Sequence, residues 1–533
     1  MTLVAPPREE AREPGPAGAS SPAAEASADG GTPWWAAALL VVAVLAGVVA
    51  RFTARSALWL DEAISVDIAR LPLDQIAGAL REDGHPPVYY YLLHVWTGWF
   101  GTSSTAVRSL SGVVAVAALP LAWALGRRLG GRRTAALATV LLATSPFAVR
   151  YATEARMYSL MTFLCLAGLL AVHRALEAPR LGRLLPVAVV AAATPLTHYW
   201  GMWVLAAAVI ALAVAGWRHP AVRGAALRVG AAIAAGALAF VPWLPTVAYQ
   251  AQHTGTPWAR SVEPFDAAFD SLLDFGGGKW PGGRLLGLVL GLLVVLALVA
   301  VPVERWRLAV DLRTVPGARA ELGFGSLTVL LGLGAAVATS SAFQPRYAAP
   351  VLGPVLLAAA VGIDRLPDRA LRAAVVTVVA LVGLAGAVRW EGEPRTQAAE
   401  VAGALADEGR AGDVVAYCPD QLRPAVQRII DREGPDGLRS TTYPSGSPPG
   451  RVDWVDYRQR IRAADPAATA RELLDRAGPG TVWVVSAPDY RGFGTDCEDL
   501  RAELARARGR SAAVVDRDGD AYEKALLHRY PPR

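Results

Sequence analysis

The chain has 533 residues, of which 53% are hydrophobic and 18% charged, with 52 Lys and Arg against 46 Asp and Glu for a formal charge of +6. That leaves too little polar surface to clothe a soluble globule of this size, so the chain belongs in a bilayer. Its basic residues lie between apolar blocks rather than with aromatics on one soluble face, which excludes a nucleic-acid partner, and its three cysteines have neither a disulfide scaffold's number nor a metal site's spacing.

Residues 1–31 are rich in Pro, Ala, Ser and Glu and predict a disordered cytoplasmic tail. Trp34 opens an apolar stretch that runs to Phe52, long enough to cross and without the flanks of a cleaved signal, so it is read as an uncleaved first helix. Further stretches near the ~20 residues needed to cross lie at 107–126, 133–149, 157–176, 183–198, 199–217, 225–245, 284–303, 320–341, 347–364 and 371–389. The expected fold class is therefore a polytopic α-helical membrane protein of about eleven transmembrane helices.

The segment 86–100, PVYYYLLHVWTGWF after His85-Pro86, is apolar but short and aromatic. If it lies in the interface, the basic loops at 126–133, 173–183, 218–228, 305–319 and 364–372 all fall on the cytoplasmic side, as the bias of short Arg-rich loops requires. If it crosses, every one of them moves outside. Tyr and Trp also favour the headgroup level, so an interfacial helix is expected. Four polar segments then share the outer face: 53–106, the turn 150–156, the loop 246–283, and everything after Arg389.

Residues 390–533 change to soluble character and read as an extracytoplasmic α/β domain following a membrane domain at 32–389. Strands are expected at 413–417, 481–485 and, more weakly, 512–515, with helices at 393–408, 422–433, 467–477 and 497–508, which suggests a partly parallel sheet. Cys418 and Cys497 follow the first two strands and are placed where an oxidising compartment would let them pair or leave them free.

The chemistry is sought in the outer segments. Leu58-Trp59-Leu60-Asp61-Glu62 sets two acids in an apolar setting at the membrane surface, where desolvation makes an ionised carboxylate a better base; the pair would equally serve as a helix cap. In Asp83-Gly84-His85-Pro86-Pro87, the prolines force an extended lead into the interfacial helix and leave His85 as a proton carrier, a metal ligand or a polar cap. The turn Arg150-Tyr151-Ala152-Thr153-Glu154-Ala155-Arg156-Met157-Tyr158 gathers ionisable groups at helix ends, with Glu154 and Arg156 suited to a sugar or a phosphate. Two further outer turns carry His198 and the run Pro345-Arg346-Tyr347. An outer arginine calls for an anion, so Arg346 meets either a lipid phosphate or an acid such as Glu62 or Glu154.

Taken in order, Trp59-Leu60-Asp61-Glu62, His85-Pro86-Pro87, Ser145-Pro146 with Glu154-Ala155-Arg156-Met157-Tyr158, and Pro345-Arg346-Tyr347 resemble the GT-C superfamily of polyprenyl-phosphate-sugar-dependent glycosyltransferases. Within it, the chain looks like the bacterial branch related to protein O-mannosyltransferases and aminoarabinose transferases. The resemblance covers residues 34–390 and implies a sugar moved from a polyprenyl-phosphate donor to an acceptor hydroxyl at the outer face of the cell membrane, in many members with inversion. It implies Asp61 as catalytic base with Glu62 as the second acid, and His85, Glu154, Arg156, Tyr158, His198, Arg346 and Tyr347 at the substrates. Some members bind a divalent metal, for which Glu62 and His85 are the candidates here. The acceptor stays open among a cell-envelope glycan, a lipid and a protein, because the C-terminal region departs from the modules of the O-mannosyltransferases. A transporter or flippase is the rival class; it predicts repeated halves and mid-membrane charges, and the sequence has neither.

Overall fold

A computed structural model describes residues 34–533 apart from 256–262, 279, 305–306, 315–317, 340, 449, 488–489 and 533. The expected tail 1–31 and part of the loop 246–283 lie outside the described residues. Among the described residues eight helices are long and apolar enough to cross a membrane, and Ala37–Ala50 and Leu181–Thr197 are shorter apolar helices. The longest, Ser104–Thr144, leaves helical geometry at Gly130 and Gly131, so it covers two of the expected spans. Gly131 has φ 81°, a left-handed backbone that a side chain would strain, and this reverses the chain within the arginine-rich turn.

Two expected spans are corrected. The span 133–149 ends at Thr144, because Ser145 turns extended, its Oγ accepts from the Ala148 N–H at 3.2 Å, and Pro146 starts a new short helix, Pro146–Ala152. The span 284–303 ends at Val299. Its continuation is strand β1 (Ala300–Glu304), which pairs antiparallel with β2 (Arg307–Val310) as a hairpin.

The first helix, Trp34–Ala50, packs closely on the end of that broken helix. A Cβ at Gly47 would lie 2.1 Å from the Ala143 carbonyl oxygen, so only glycine allows the approach. Arg51, 1% exposed, then donates to the carbonyls of Ala143 at 2.7 Å and Leu142 at 2.8 Å. It satisfies acceptors that the helix terminus leaves open.

Between the first span and Ser104 the chain forms three helices, Leu60–Ala69, Leu73–Asp83 and Val88–Phe100. The last is the expected aromatic segment. Its Tyr89, Tyr90 and Leu93 are buried while Leu92, Val95 and Trp99 form an exposed stripe at helical spacing.

The C-terminal region folds around a five-stranded sheet of order β4-β3-β5-β7-β6, with β3 (Val414–Cys418), β4 (Arg439–Thr442), β5 (Val482–Ser486), β6 (Ala512–Val515) and β7 (Leu526–Tyr530). β4, β3 and β5 are parallel; β7 runs antiparallel to β5 and β6 antiparallel to β7. Alternate residues serve opposite faces. Val415, Tyr417, Trp483 and Val485 share a cluster with Val401, Leu405 and Val426, while Val414, Ala416, Val482 and Val484 share one with Leu473, Leu500 and Leu504. Helices therefore cover both sides, and continuous apolar strands result. β4, β7 and the helix Tyr457–Ala463 were not expected, and the helix expected from 393 begins at Ala398. Cys418 and Cys497 are disulfide-bonded. This region sits on the helix Leu60–Ala69: Ala63 joins the Val415 cluster, and Arg428 donates to the Thr102 carbonyl.

Candidate active site

The helix Leu60–Ala69 starts at an extended Trp59, which puts Asp61 and Glu62 in its first turn on different sides. Glu62 points inward and is fully buried. Arg108 donates to it twice, Nε to Oε1 at 2.7 Å and Nη2 to Oε2 at 2.6 Å, and the Ala155 N–H donates to Oε1 at 2.9 Å. Arg395 Nη1 lies 3.8 Å away, and the Trp59 N–H reaches back to Oε2 at 3.4 Å, the contact of a capping acid. Burial pushes the Glu62 carboxyl up, but Arg108, Arg395 and the Ala155 N–H outweigh it and leave it below the usual carboxylate range.

Asp61 is placed differently. Its side chain is 22% exposed, and Oδ2 lies 3.8 Å from Arg156 Nη2 and 3.6 Å from Arg346 Nη1. Arg346 thus meets Asp61, neither of the two acids named for it above. Both arginines are held by other groups. Arg156 Nη1 donates to Ser65 Oγ at 3.0 Å and Tyr90 Oη at 3.3 Å, and Nη2 donates to His85 Nε2 at 2.8 Å. The Nε atoms of Arg156 and Arg346 are buried without a hydrogen-bond partner among the described residues.

His85 Nδ1 lies 2.7 Å from Asp83 Oδ2, so with Nε2 accepting from Arg156 the proton sits on Nδ1. Burial raises the Asp83 carboxyl, but His85, Arg156 and the Tyr90 hydroxyl bring it below its ordinary value. Asp83, His85, Arg156 and Asp61 form one connected chain.

Tyr158, His198 and Tyr347 form a cluster beside Arg346. The Tyr158 and His198 rings are 6.0 Å apart, His198 and Tyr347 are 5.1 Å apart, and the Arg346 guanidinium carbon lies 5.9 Å from the Tyr158 ring. The Trp200 N–H donates to His198 Nδ1 at 3.1 Å. Burial, helped by His85, Arg156 and Arg346, lowers the His198 imidazole to about 3, so the ring stays neutral beside the two arginines.

Glu154 is 4% exposed and its Oε1 has no hydrogen-bond partner among the described residues. Burial raises its carboxyl; Arg395 opposes this and Glu62 adds to it. Arg395 itself is anchored on Thr153, to the carbonyl at 2.5 Å and the hydroxyl at 2.7 Å.

The structure therefore brings together all nine site residues read from the sequence and adds Asp83, Arg108, Arg395 and Glu523. Arg108 carried a signal: a charge in the first turn of an apolar span needs a partner. Glu523, whose Oε1 accepts from the Leu60 N–H at 3.3 Å and Oε2 from Thr396 Oγ1 at 2.6 Å, carried none, being far off in sequence. Among the described residues no group of three or more His, Cys, Asp and Glu is placed to hold a metal ion. Glu62 and His85 do not suit a cation: Glu62 is saturated by Arg108 and the Ala155 N–H, and the His85 Nε2 lone pair faces a guanidinium.

Residues 84–245 match the family model described as dolichyl-phosphate-mannose-protein mannosyltransferase. No curated protein matches the chain. Among solved structures, it is similar to ArnT from Cupriavidus metallidurans bound to undecaprenyl phosphate, with TM-score 0.58 and 13% identity over 94% of this chain and 98% of that one. It is similar to the apo form of the same protein with TM-score 0.57 and 14% identity over 93% and 98%. The matched segment contains His85, Glu154, Arg156, Tyr158 and His198, and the structural likeness extends over the helices and the C-terminal sheet alike. The chain thus shares the fold of these solved structures.

Proposed function

We propose that this protein is a membrane glycosyltransferase that moves a sugar from a polyprenyl-phosphate donor to an acceptor hydroxyl of the cell envelope, on a glycan, a lipid or a protein. The observation that carries this reading is the position of Asp61, a partly exposed carboxylate facing Arg156 and Arg346. ArnT, which shares the fold, binds undecaprenyl phosphate. The basic loops at 126–133, 173–183, 218–228 and 364–372 support the assignment of the site, with the C-terminal region 390–533 above it, to the outer side of the cell membrane.

In the proposed reaction, Asp61 takes the proton of the acceptor hydroxyl as its oxygen attacks the anomeric carbon. The bond from that carbon to the phosphate oxygen breaks, its electron pair leaves with the polyprenyl phosphate, and a single displacement inverts the centre. General-base help of this kind is worth ~10²- to 10⁴-fold. Arg346 and Arg156, which flank Asp61, neutralise the charge the phosphate gains. His85, oriented by Asp83, holds Arg156 in place. Glu62 is a positioning residue that ties the Asp61 helix to Arg108 and the 154–156 turn. No step is routed through a metal.

The test uses the purified full chain in proteoliposomes with radiolabelled polyprenyl-phosphate sugars. Asp61→Asn retains donor binding and loses transfer. Near-normal transfer by this variant sinks the assignment.

A further inference from the structure

A narrow cleft opens beside Arg346. Its walls include Trp59, Arg150, Glu154, Arg346, Trp390 and Tyr522. They come from five separate parts of the chain: the helix start before Asp61, the 150–156 turn, the turn at Pro345–Ala348, the last apolar helix and the segment between β6 and β7. Arg150 lies over the Trp390 ring at 3.9 Å and fixes the indole, and Trp59 meets Tyr522 edge to face at 5.3 Å. Two acids line it: Glu393, paired with Arg389 at 3.2 Å, and Glu154, whose buried Oε1 has no hydrogen-bond partner among the described residues. A buried acceptor without a donor costs stability unless something else supplies one.

The cleft has the chemistry of a carbohydrate subsite: aromatic rings for the C–H faces of a sugar and a carboxylate to accept from its hydroxyl or amino groups. Its narrowness suits the hydroxyl-bearing edge of a ring. Arg346 decides which substrate that is. It both contacts Asp61 and lines the cleft. If Arg346 holds the donor phosphate, the group bonded to that phosphate is the one that reaches the cleft.

We propose that this cleft grips the edge of the donor's sugar, with Glu154 accepting from one of its hydroxyl or amino groups, and so sets which sugar is used. The inference rests on the glycosyl-transfer reading of the same site. It also makes Tyr522 and Trp390 part of the site, so the C-terminal region takes part in recognising the donor.

Thermal protection of the full chain is measured with polyprenyl phosphate alone and with polyprenyl phosphates bearing mannose, glucose or arabinose. Wild type binds one sugar-bearing lipid more tightly than the bare lipid phosphate, by about fivefold or more, the worth of one hydrogen bond to a buried acceptor. Glu154→Leu and Tyr522→Ala lose that surplus, and Tyr522→Ala binds bare polyprenyl phosphate as wild type does. Tyr522 is 52% exposed, so its replacement leaves folding intact even if that of Glu154 does not. A surplus unchanged in Tyr522→Ala and in folded Glu154→Leu, or none in wild type, overturns the inference. A sugar-dependent surplus lost in the variants, with no transfer by wild type to any acceptor, leaves the subsite standing and removes the transferase reading.

Discussion

Glu62 and Arg108 meet through two hydrogen bonds, at 2.6 and 2.7 Å, with the carboxylate wholly out of solvent. They join the helix that carries Asp61 to the first span after it, 46 residues on.

Removing one partner of this pair strands a buried charge. Arg108→Met should cost about 3–5 kcal/mol and show as a sharply lowered midpoint in thermal unfolding. The double variant Glu62→Gln/Arg108→Met should recover much of the loss. If the double variant is no better than the single one, the pair is not what holds this joint. Glu62→Gln alone should lower kcat and leave the pH dependence of kcat unchanged, as a positioning role requires.

Arg346 contacts Asp61 and aromatic rings and has a spare buried N–H. Arg346→Ala should reduce kcat/KM about 10²-fold, the usual effect of losing one donor that stabilises developing charge. Arg346→Lys should restore little, because an ammonium lacks the guanidinium fork. Steady-state transfer assays decide this, and a fully active lysine variant would count against phosphate binding by Arg346.

Burial lifts the Glu523 carboxyl from 4.5 to about 7, against the hydrogen bonds from Thr396 and Leu60 that lower it. The raised value means that the folded protein holds this proton more tightly than the unfolded chain. The stability it contributes is complete below about 4.5 and is lost as pH rises through about 7. Glu523→Gln keeps an acceptor for the Leu60 N–H and has no proton to lose. Relative to it, wild type should lose thermal stability across that window; a constant difference between the two would refute the linkage.

The Cys418–Cys497 bond spans 79 residues of the C-terminal region. Closing a loop of that length is worth about 4 kcal/mol on the chain-entropy account. Reduction, or Cys497→Ser, should therefore lower the midpoint of the C-terminal region's transition. Helical signal from the membrane segments should persist beyond it. Coincident loss of both would show that the two parts unfold as one.

The membrane helices are legible in the sequence because a crossing segment must satisfy its backbone locally and be apolar throughout, so each announces itself. Their ends are less so. Thr144 ends a helix through Ser145 and Pro146 inside an apolar run that hydropathy alone reads as continuous. β3 and β5 are legible as buried apolar runs, whereas Arg439–Thr442 and Leu526–Tyr530 mix charge and apolar residues and become strands only because β3 and β5 offer them edges. The same division runs through the site. Asp61 is visible from its apolar neighbours, but its difference from Glu62 is set by Arg108, Ala155 and Arg395, which no local pattern connects to residue 62.

The bond from the Leu60 N–H to Glu523 has a consequence for how the protein is made. Leu60 leaves the ribosome 463 residues before its partner. Every membrane helix, and four of the five strands of the C-terminal sheet, are synthesised before the turn beside Asp61 acquires its last contact. A half-made chain therefore sits in the bilayer with both arginines and the acid in place but the cleft missing a wall. The wall that Tyr522 gives the cleft is thus among the last parts of the chain to be made.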